Sequence, residues 1–462
     1  MIGKYRLGII SLLVIALLAA GEQAAFGQSK RDQQRSRELA AQGDKLFREK
    51  NYKAAADSYQ QAIQLVANNP AAHYWKGVAH YYLKEYEPAE RSLQTALTQG
   101  FKPLEVYRIR WYIYYDQKRF DEAAADLSKA IQLEPKNVSF LRSLGEIYVE
   151  QGRTEEALDT FQRSLLLDPK DADTYYNIAR IHALKGNYKA QGAAADEALK
   201  RGTRMVGESY LLLADSRQRQ GDIDGAIAAY QRAIAAKPGE KSTFLTLANL
   251  FHNQGRFAEA IETCRKGLER FPNDGDFYTD LAWYYSLSDR HDEAAKSAQA
   301  AVTLLPDQYM GYTNLCRAQN DLKLFQDAIR TCNSALRLKP NDGETLFYLA
   351  RAYDGLNRRA EATPLYSRAV TGLVQFTRDN PEYPDGFYLL GNAYFADNQR
   401  DKAIDAYIKC LELNPRFAKA RFNLGVILVR KKDRAGAMEQ YNELLRLEQN
   451  LAARLKAEID KM

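Results

Sequence analysis

An alanine returns through this chain at a nearly fixed interval, and that interval constrains the fold more than any other feature. It sits in the pattern aromatic-x-x-Ala-x-x-x-aromatic-x-x-Ala, first at Tyr52, Ala55, Tyr59 and Ala62. The same alanine recurs at Ala89, Ala123, Ala157, Ala226, Ala260, Ala294, Ala328, Ala362, Ala403 and Ala437, with Gln191 in the one missing slot. Of the eleven intervals, nine are 34 residues, one is 35 and one is 41. A proline stands twelve residues after the alanine at Pro135, Pro169, Pro238, Pro272, Pro306, Pro340 and Pro415. An apolar–small pair precedes it at Leu144-Gly145, Ile178-Ala179, Leu213-Ala214, Leu247-Ala248, Leu281-Ala282, Leu349-Ala350, Leu390-Gly391 and Leu424-Gly425. A length of 462 residues would otherwise argue for about three domains. Three markers in one phase argue instead for one repeated unit.

Each unit carries two segments with apolar residues at helical spacing. In the fourth unit Leu141, Leu144 and Tyr148 share one face, and Ala157, Phe161 and Ser164 share another. Gly152 suits the turn between them, and Pro169 stops the second helix. One helix pair cannot bury both of its faces, so neighbouring pairs must stack. The expected class is all-α, with no strand.

The three markers resemble those of the tetratricopeptide repeat family, over about residues 36–447. The resemblance implies an α-solenoid wound as a right-handed superhelix. Twelve repeats would start near Ser36, Pro70, Leu104, Val138, Ala172, Gly207, Lys241, Gly275, Tyr309, Gly343, Pro384 and Ala418. Residues 28–35 read as a polar leader into the first helix. Residues 448–462, with Leu451, Leu455 and Ile459 spaced by four, read as a helix capping the last repeat. Two places break the phase. One is RGTRMVGE at 201–208. The other is an insertion near 371–383, read as a lengthened surface helix, or more sharply as a bend or a partner-contact loop.

Residues 1–27 have another character. Lys4 and Arg6 precede an apolar run from Leu7 to Ala20, and Ala25-Phe26-Gly27 offers small residues for cleavage. The run is shorter than the roughly 20 residues of a spanning helix, so it reads as a signal peptide. The alternative is an uncleaved anchor in the inner membrane, and a membrane role is expected only if residues 1–20 are retained. The expected location is exported, periplasmic or extracellular. The net charge is +6, from 65 Lys+Arg against 59 Asp+Glu, and the signs are interspersed. No basic stripe marks a nucleic-acid partner.

Catalytic constellations are missing. Neither glycine-rich phosphate loop occurs. The five histidines are scattered, and His80 and His182 replace core aromatics. No cysteine or carboxylate completes a metal site around His73 and His80, and no cofactor is expected. Cys264, Cys316, Cys332 and Cys410 fall in core slots, either as four buried thiols or with Cys316 and Cys332 bonded in an oxidising compartment. The repeats use up the chain, so a non-catalytic scaffold is expected.

In this family the first helices line a concave groove, which implies a protein or peptide ligand. By register the groove positions hold Tyr74, Tyr81, Tyr82, Arg108, Tyr112 and Tyr115 in the second and third repeats. Tyr107, Trp111 and Tyr114 are core by the same register. Later groove positions are Asn177, Arg180, Asn249, His252, Trp283, Asn314, Arg317 and Arg351. Arg and Asn in such pairs can hold a carboxylate or peptide backbone. The five-residue clamp with which some relatives grip a chaperone's C-terminal carboxylate is absent. A glycan ligand on the tyrosine-rich patch is the alternative from another class.

Overall fold

The computed structural model describes residues 29–237 and 239–462. The signal-peptide reading at 1–27 and Pro238 lie outside them. The described residues form helices joined by short turns, with no strand among them. The chain divides into two compact units, Met1–Met205 and Val206–Met462, and the boundary falls within the phase break at 201–208.

Unit 1 holds α1 (29–48), α2 (Tyr52–Leu65), α3 (Pro70–Tyr82), α4 (Tyr86–Thr98), α5 (Pro103–Asp116), α6 (Phe120–Leu133), α7 (Val138–Glu150), α8 (Thr154–Leu167), α9 (Ala172–Leu184) and α10 (Tyr188–Arg201). Unit 2 begins with α11 (Val206–Arg219), α12 (Ile223–Ala236), α13 (Lys241–Asn253), α14 (Phe257–Arg270), α15 (Gly275–Leu287), α16 (His291–Leu304), α17 (Tyr309–Asp321) and α18 (Phe325–Leu338). It continues with α19 (Gly343–Gly355), α20 (Arg359–Asp379), α21 (Pro384–Ala396), α22 (Arg400–Leu413), α23 (Ala418–Arg430), α24 (Arg434–Leu447) and α25 (Gln449–Ile459).

The periodic alanine explains the stacking. All eleven alanines of that slot, and Gln191, are fully buried at 0% exposure. A methyl group there lets each second helix lie against its neighbours, and the second-helix aromatic, such as Tyr59, Phe161 or Tyr407, fills the space beside it. Ala260→Leu should therefore overpack the seventh repeat and cost about 1–3 kcal/mol or more. Lys266→Leu, on a side chain that is 62% exposed, should cost far less. Equal losses of denaturant midpoint in the two variants would mean the phase is wrong.

Each helix pair turns through one left-handed residue. These residues are Lys50, Lys84, Lys118, Gly152, Gly186, Gly221, Gly255, Asp289, Lys323, Asn357, Asn398 and Lys432. Glycine occupies only four of the twelve; elsewhere Lys, Asn or Asp accepts φ between 56° and 62°. Several first helices are capped from the side chain of the preceding residue: Asn69 accepts from the Ala72 N–H, Asn137 from Phe140 and Asp342 from Thr345.

Three details sharpen the sequence reading. Residues 29–35, expected as a leader, are helical and belong to α1. Their Lys, Arg and Gln are good helix formers, and Arg35 and Gln34 both bond Glu38 within a turn. The extra residues near 371–383 are absorbed as helix: α20 has 21 residues where the other second helices have 13 or 14. Cys316 on α17 and Cys332 on α18 are joined in a disulfide, their Cα atoms 5.3 Å apart, while Cys264 and Cys410 are buried free thiols. At the far end, Leu451, Ala452, Leu455 and Ile459 of α25 are buried against α23 and α24.

Candidate functional site

In unit 1 the first helices α3, α5, α7 and α9 set one residue row beside the next. Tyr81 on α3 lies close enough to Tyr112 and Asp116 on α5 for their charges to act on its hydroxyl, whose pKa burial pushes up to about 12. Tyr82 is exposed and stacks on Tyr52, ring centroids 4.7 Å apart. Tyr112 is also exposed, at 42%. Tyr115 meets Trp111 and Phe120 edge-on. Its hydroxyl is raised by desolvation, with Glu150 and Glu146 of α7 adding to that and Arg180 of α9 opposing it. Asn177 donates to Glu146 Oε1 at 3.1 Å and accepts from Arg180 Nη1 at 3.3 Å. Tyr115, Glu146, Asn177 and Arg180 are thus brought together across three successive first helices. Glu146 was missed in the sequence, although desolvation raises its carboxyl and Asn177 holds it.

Three of the expected unit 1 groove residues do something else. Asn177 is buried, its amide taken up by Glu146 and Arg180. Tyr74 is buried and stacks on Phe101 at 4.4 Å, because the link before α5 carries an aromatic residue, Phe101, that packs against α3. Arg108 is exposed and pairs with Glu105 on its own helix. Beside the strip lies an unexpected buried ion pair. Arg110 on α5 donates from Nε and Nη2 to the two oxygens of Asp126 on α6, at 2.5 and 2.8 Å.

Unit 2 departs further from an open groove. Arg416 donates to the Gln254 carbonyl, and Lys419 donates to the Ser286 carbonyl and to Asp289. Leu287 of α15 shares a core with Tyr407 of α22 and Phe417. The seventh and eighth repeats therefore touch the eleventh and twelfth, and unit 2 closes on itself. Several residues expected on an open face are consequently internal. His252 is buried, stacked on Tyr284 at 5.2 Å. Asn314 is buried and donates to the Thr279 carbonyl. Arg317 is buried, pairs with Glu344 and lies over the Trp283 ring at 3.9 Å. Arg351 is half-buried and pairs with Asp321, while Asn249 alone of this group is exposed. The register places side chains within a repeat, but it holds no information on contacts 130 residues apart.

Closure leaves two cavities that share Trp283 and Arg317 as a wall. The smaller, ≈ 440 Å³, is lined by Tyr348, Arg351, Tyr388 and Lys419 among others. The larger, ≈ 1160 Å³, is bounded by α15, α17, α19, the long α20 and the start of α21. Its deep wall carries Asp280, Glu344 and Asp385. Asp280 occupies the slot of Asn314 one repeat earlier, so the phase that selected Asn177 and Asn314 could have found it.

Burial pushes the Asp280 carboxyl up to about 7; nearby His252 opposes this and Asp276 adds to it. Desolvation alone would lower His252, but Asp385 outweighs it and holds the imidazole above its ordinary value. Both groups bind protons more tightly in the fold. The Asp280 contribution to stability is therefore complete below about pH 4 and is lost as pH rises through about 7. The His252 contribution is likewise complete below its ordinary pKa and fades as pH rises above it. Asp280→Asn should stabilise unit 2 at pH 8 by roughly 1–3 kcal/mol and make little difference at pH 4. Urea unfolding followed at Trp283 at the two pH values checks this; a gain independent of pH would exclude ionisation as its cause.

Among the described residues no helix is long and apolar enough to cross a membrane, and no cluster of His, Cys, Asp and Glu is placed to hold a metal ion.

Comparison with known proteins adds the following. Family models of the tetratricopeptide repeat match residues 43–84, 114–181, 211–275, 245–309 and 388–451, together more than half of the chain. A stretch of 59 residues is 44% identical to UDP-N-acetylglucosamine–peptide N-acetylglucosaminyltransferase of Giardia intestinalis. That match covers 13% of this chain and only 4% of the relative. Among solved structures, yeast Tom70 is similar with a TM-score of 0.38 at 17% identity, over 92% of this chain and 96% of that one. YrrB, described as a TPR protein with an unusual peptide-binding site, has a TM-score of 0.36 at 19% identity, over 40% of this chain and 95% of that one.

Proposed function

The chain belongs to the tetratricopeptide repeat family, a protein-interaction scaffold, and from that premise we propose that it binds an extended peptide or a partner protein along the first-helix face of unit 1. The observation that carries this reading is the continuous row from Tyr81 and Tyr112 through Tyr115 to Glu146, Asn177 and Arg180. Tyrosine rings supply large contact area at small entropic cost. The partly exposed Arg180 beside them can bond a peptide backbone, with the buried Asn177 holding it in place, and a preformed face leaves little ordering to be done by the scaffold.

Export supports the setting: the apolar run at 7–20 reads as a leader, and the Cys316–Cys332 disulfide suits an oxidising compartment. The task we propose there is assembly or trafficking of envelope proteins or polysaccharide, by analogy of family. A mature N-terminus near Gln28 would support export; retention of residues 1–20 would favour a membrane-anchored adaptor that recruits an enzyme complex.

The test is a photo-crosslinker at Tyr115 with a control at Lys266, on the chain from residue 28. A protein caught at Tyr115 and not at Lys266 is the expected result. Tyr112→Ala with Tyr115→Ala should then weaken its binding at least tenfold. Equal labelling at the two sites would make the strip structural.

A further inference from the structure

The larger cavity of unit 2 holds an imbalance of charge. Asp280, Glu344 and Asp385 line it with Arg317, and His252 stands behind Asp385; Arg368 and Arg378 line it as well, but both are exposed, beside the exposed Asp379. Arg317 is committed: Nη2 bonds Glu344, and the guanidinium lies over Trp283, where its Nε and Nη1 have no hydrogen bond. Asp385 is 1% exposed, and neither of its oxygens accepts a hydrogen bond. His252 Nε2 is 3.3 Å from Asp385 Oδ1, close enough to pair with it by charge. Lys339 also lines the cavity but is drawn aside to the Tyr309 hydroxyl and Asp342. One carboxyl group of the inner wall therefore lacks a counter-charge, an arrangement that disfavours its charged form unless a cation enters.

The surroundings suit a particular cation. Tyr383 lines the same space with 38% of its surface accessible, while burial and the three carboxyls push its hydroxyl up. An aromatic face beside carboxylates is the recognition chemistry of ammonium and guanidinium groups. A volume of ≈ 1160 Å³ exceeds what one such group fills. It accommodates a chain of atoms bearing it.

We propose that this chamber binds the ammonium or guanidinium group of an extended ligand, with Asp385 and Asp280 as its ion-pair partners. The group can belong to a free polyamine or to a Lys or Arg side chain of a peptide. The chamber lies in unit 2 and stands whether or not the unit 1 strip binds a partner.

The experiment is isothermal titration of the full chain with three probes: spermidine, an acetylated glycine peptide with a central lysine, and the same peptide with a central glutamate. Saturable binding of spermidine alone assigns a free polyamine; saturable binding of the lysine peptide assigns a protein segment. Asp385→Asn, which keeps the shape, should weaken either at least tenfold. Met310→Lys, at a chamber-lining side chain that is 49% exposed and so able to change without unfolding the core, should weaken it similarly. Lys266→Leu, at an exposed side chain outside the chamber lining, should leave it unchanged. No binding of either cationic probe, equal binding of the glutamate peptide, or affinity untouched by both Asp385→Asn and Met310→Lys would overturn the proposal.

Discussion

Asp126→Ala should destabilise the α5–α6 pair by about 3–5 kcal/mol, the range for breaking a buried ion pair by removing one partner. The Arg110 and Asp126 side chains are only 8% and 3% exposed. Gln94 Oε1 accepts from Arg110 Nη1, and the rings of Tyr107 and Tyr114 lie 5.7 Å from its guanidinium carbon. None of these carries the negative charge that Asp126 supplies, so the variant strands a cation in the core. Replacing both partners together, Arg110→Met with Asp126→Leu, should recover most of the loss, because neither charge then needs desolvation. Repeat arrays unfold in parts, so the readout must be local. Urea unfolding followed at Trp111, which is buried next to Arg110 in sequence, supplies it. A single-variant loss under about 1 kcal/mol would mean that water reaches the guanidinium and the pair is an ordinary surface one.

That pair also marks what the sequence allowed to be read. The alanine phase, the helix pairs and the absence of strands were legible, because stacking repeats every 34 residues the same steric demand. Arg110 stands in the slot of Leu144, and Asp126 in that of Thr160, each one repeat earlier. The apolar–small pair is simply missing from the third repeat, and two complementary departures facing each other across a helix pair are themselves a signal. In unit 1 the tyrosine row was legible for the same reason, since its members are neighbours through adjacent repeats. Tyr74 was not, because its burial depends on Phe101 in the link. Unit 2 was opaque in another way. Its closure joins Gln254 to Arg416 and Ser286 to Lys419, and the curvature that brings them together is a sum of small rotations in which no single residue is diagnostic. His252, Asn314 and Arg317 kept their predicted helix faces but acquired a lid.

Gly372→Val should be at least as damaging, at more than about 3 kcal/mol, and its smaller relative Gly372→Ala separates two opposite expectations. Gly372 lies inside α20, where alanine improves helix propensity by up to about 1 kcal/mol. Packing opposes this. A Cβ at 372 would lie 2.7 Å from the Asn341 carbonyl oxygen and 2.9 Å from both Cα and N of Gly343. A Cβ at 343 would in turn lie 2.5 Å from the Leu373 nitrogen and 2.8 Å from the Ala369 oxygen. All of these atoms are backbone, so no side chain can swing away, and the start of α19 must part from α20. Gly372→Ala should therefore lose about 1–3 kcal/mol despite its better propensity. Thr371→Ala, at the exposed neighbouring position, should be close to neutral. The glycine contact fixes how α20 continues past the start of α19, and the turns beyond it, with Val374, Phe376 and Tyr383 after them, wall the chamber. Hydrogen exchange should consequently show faster opening in α19 and α20 of Gly372→Ala while α2 to α9 stay protected. Stabilisation by Gly372→Ala would mean that the two helices can separate freely, and the chamber would then have no fixed wall.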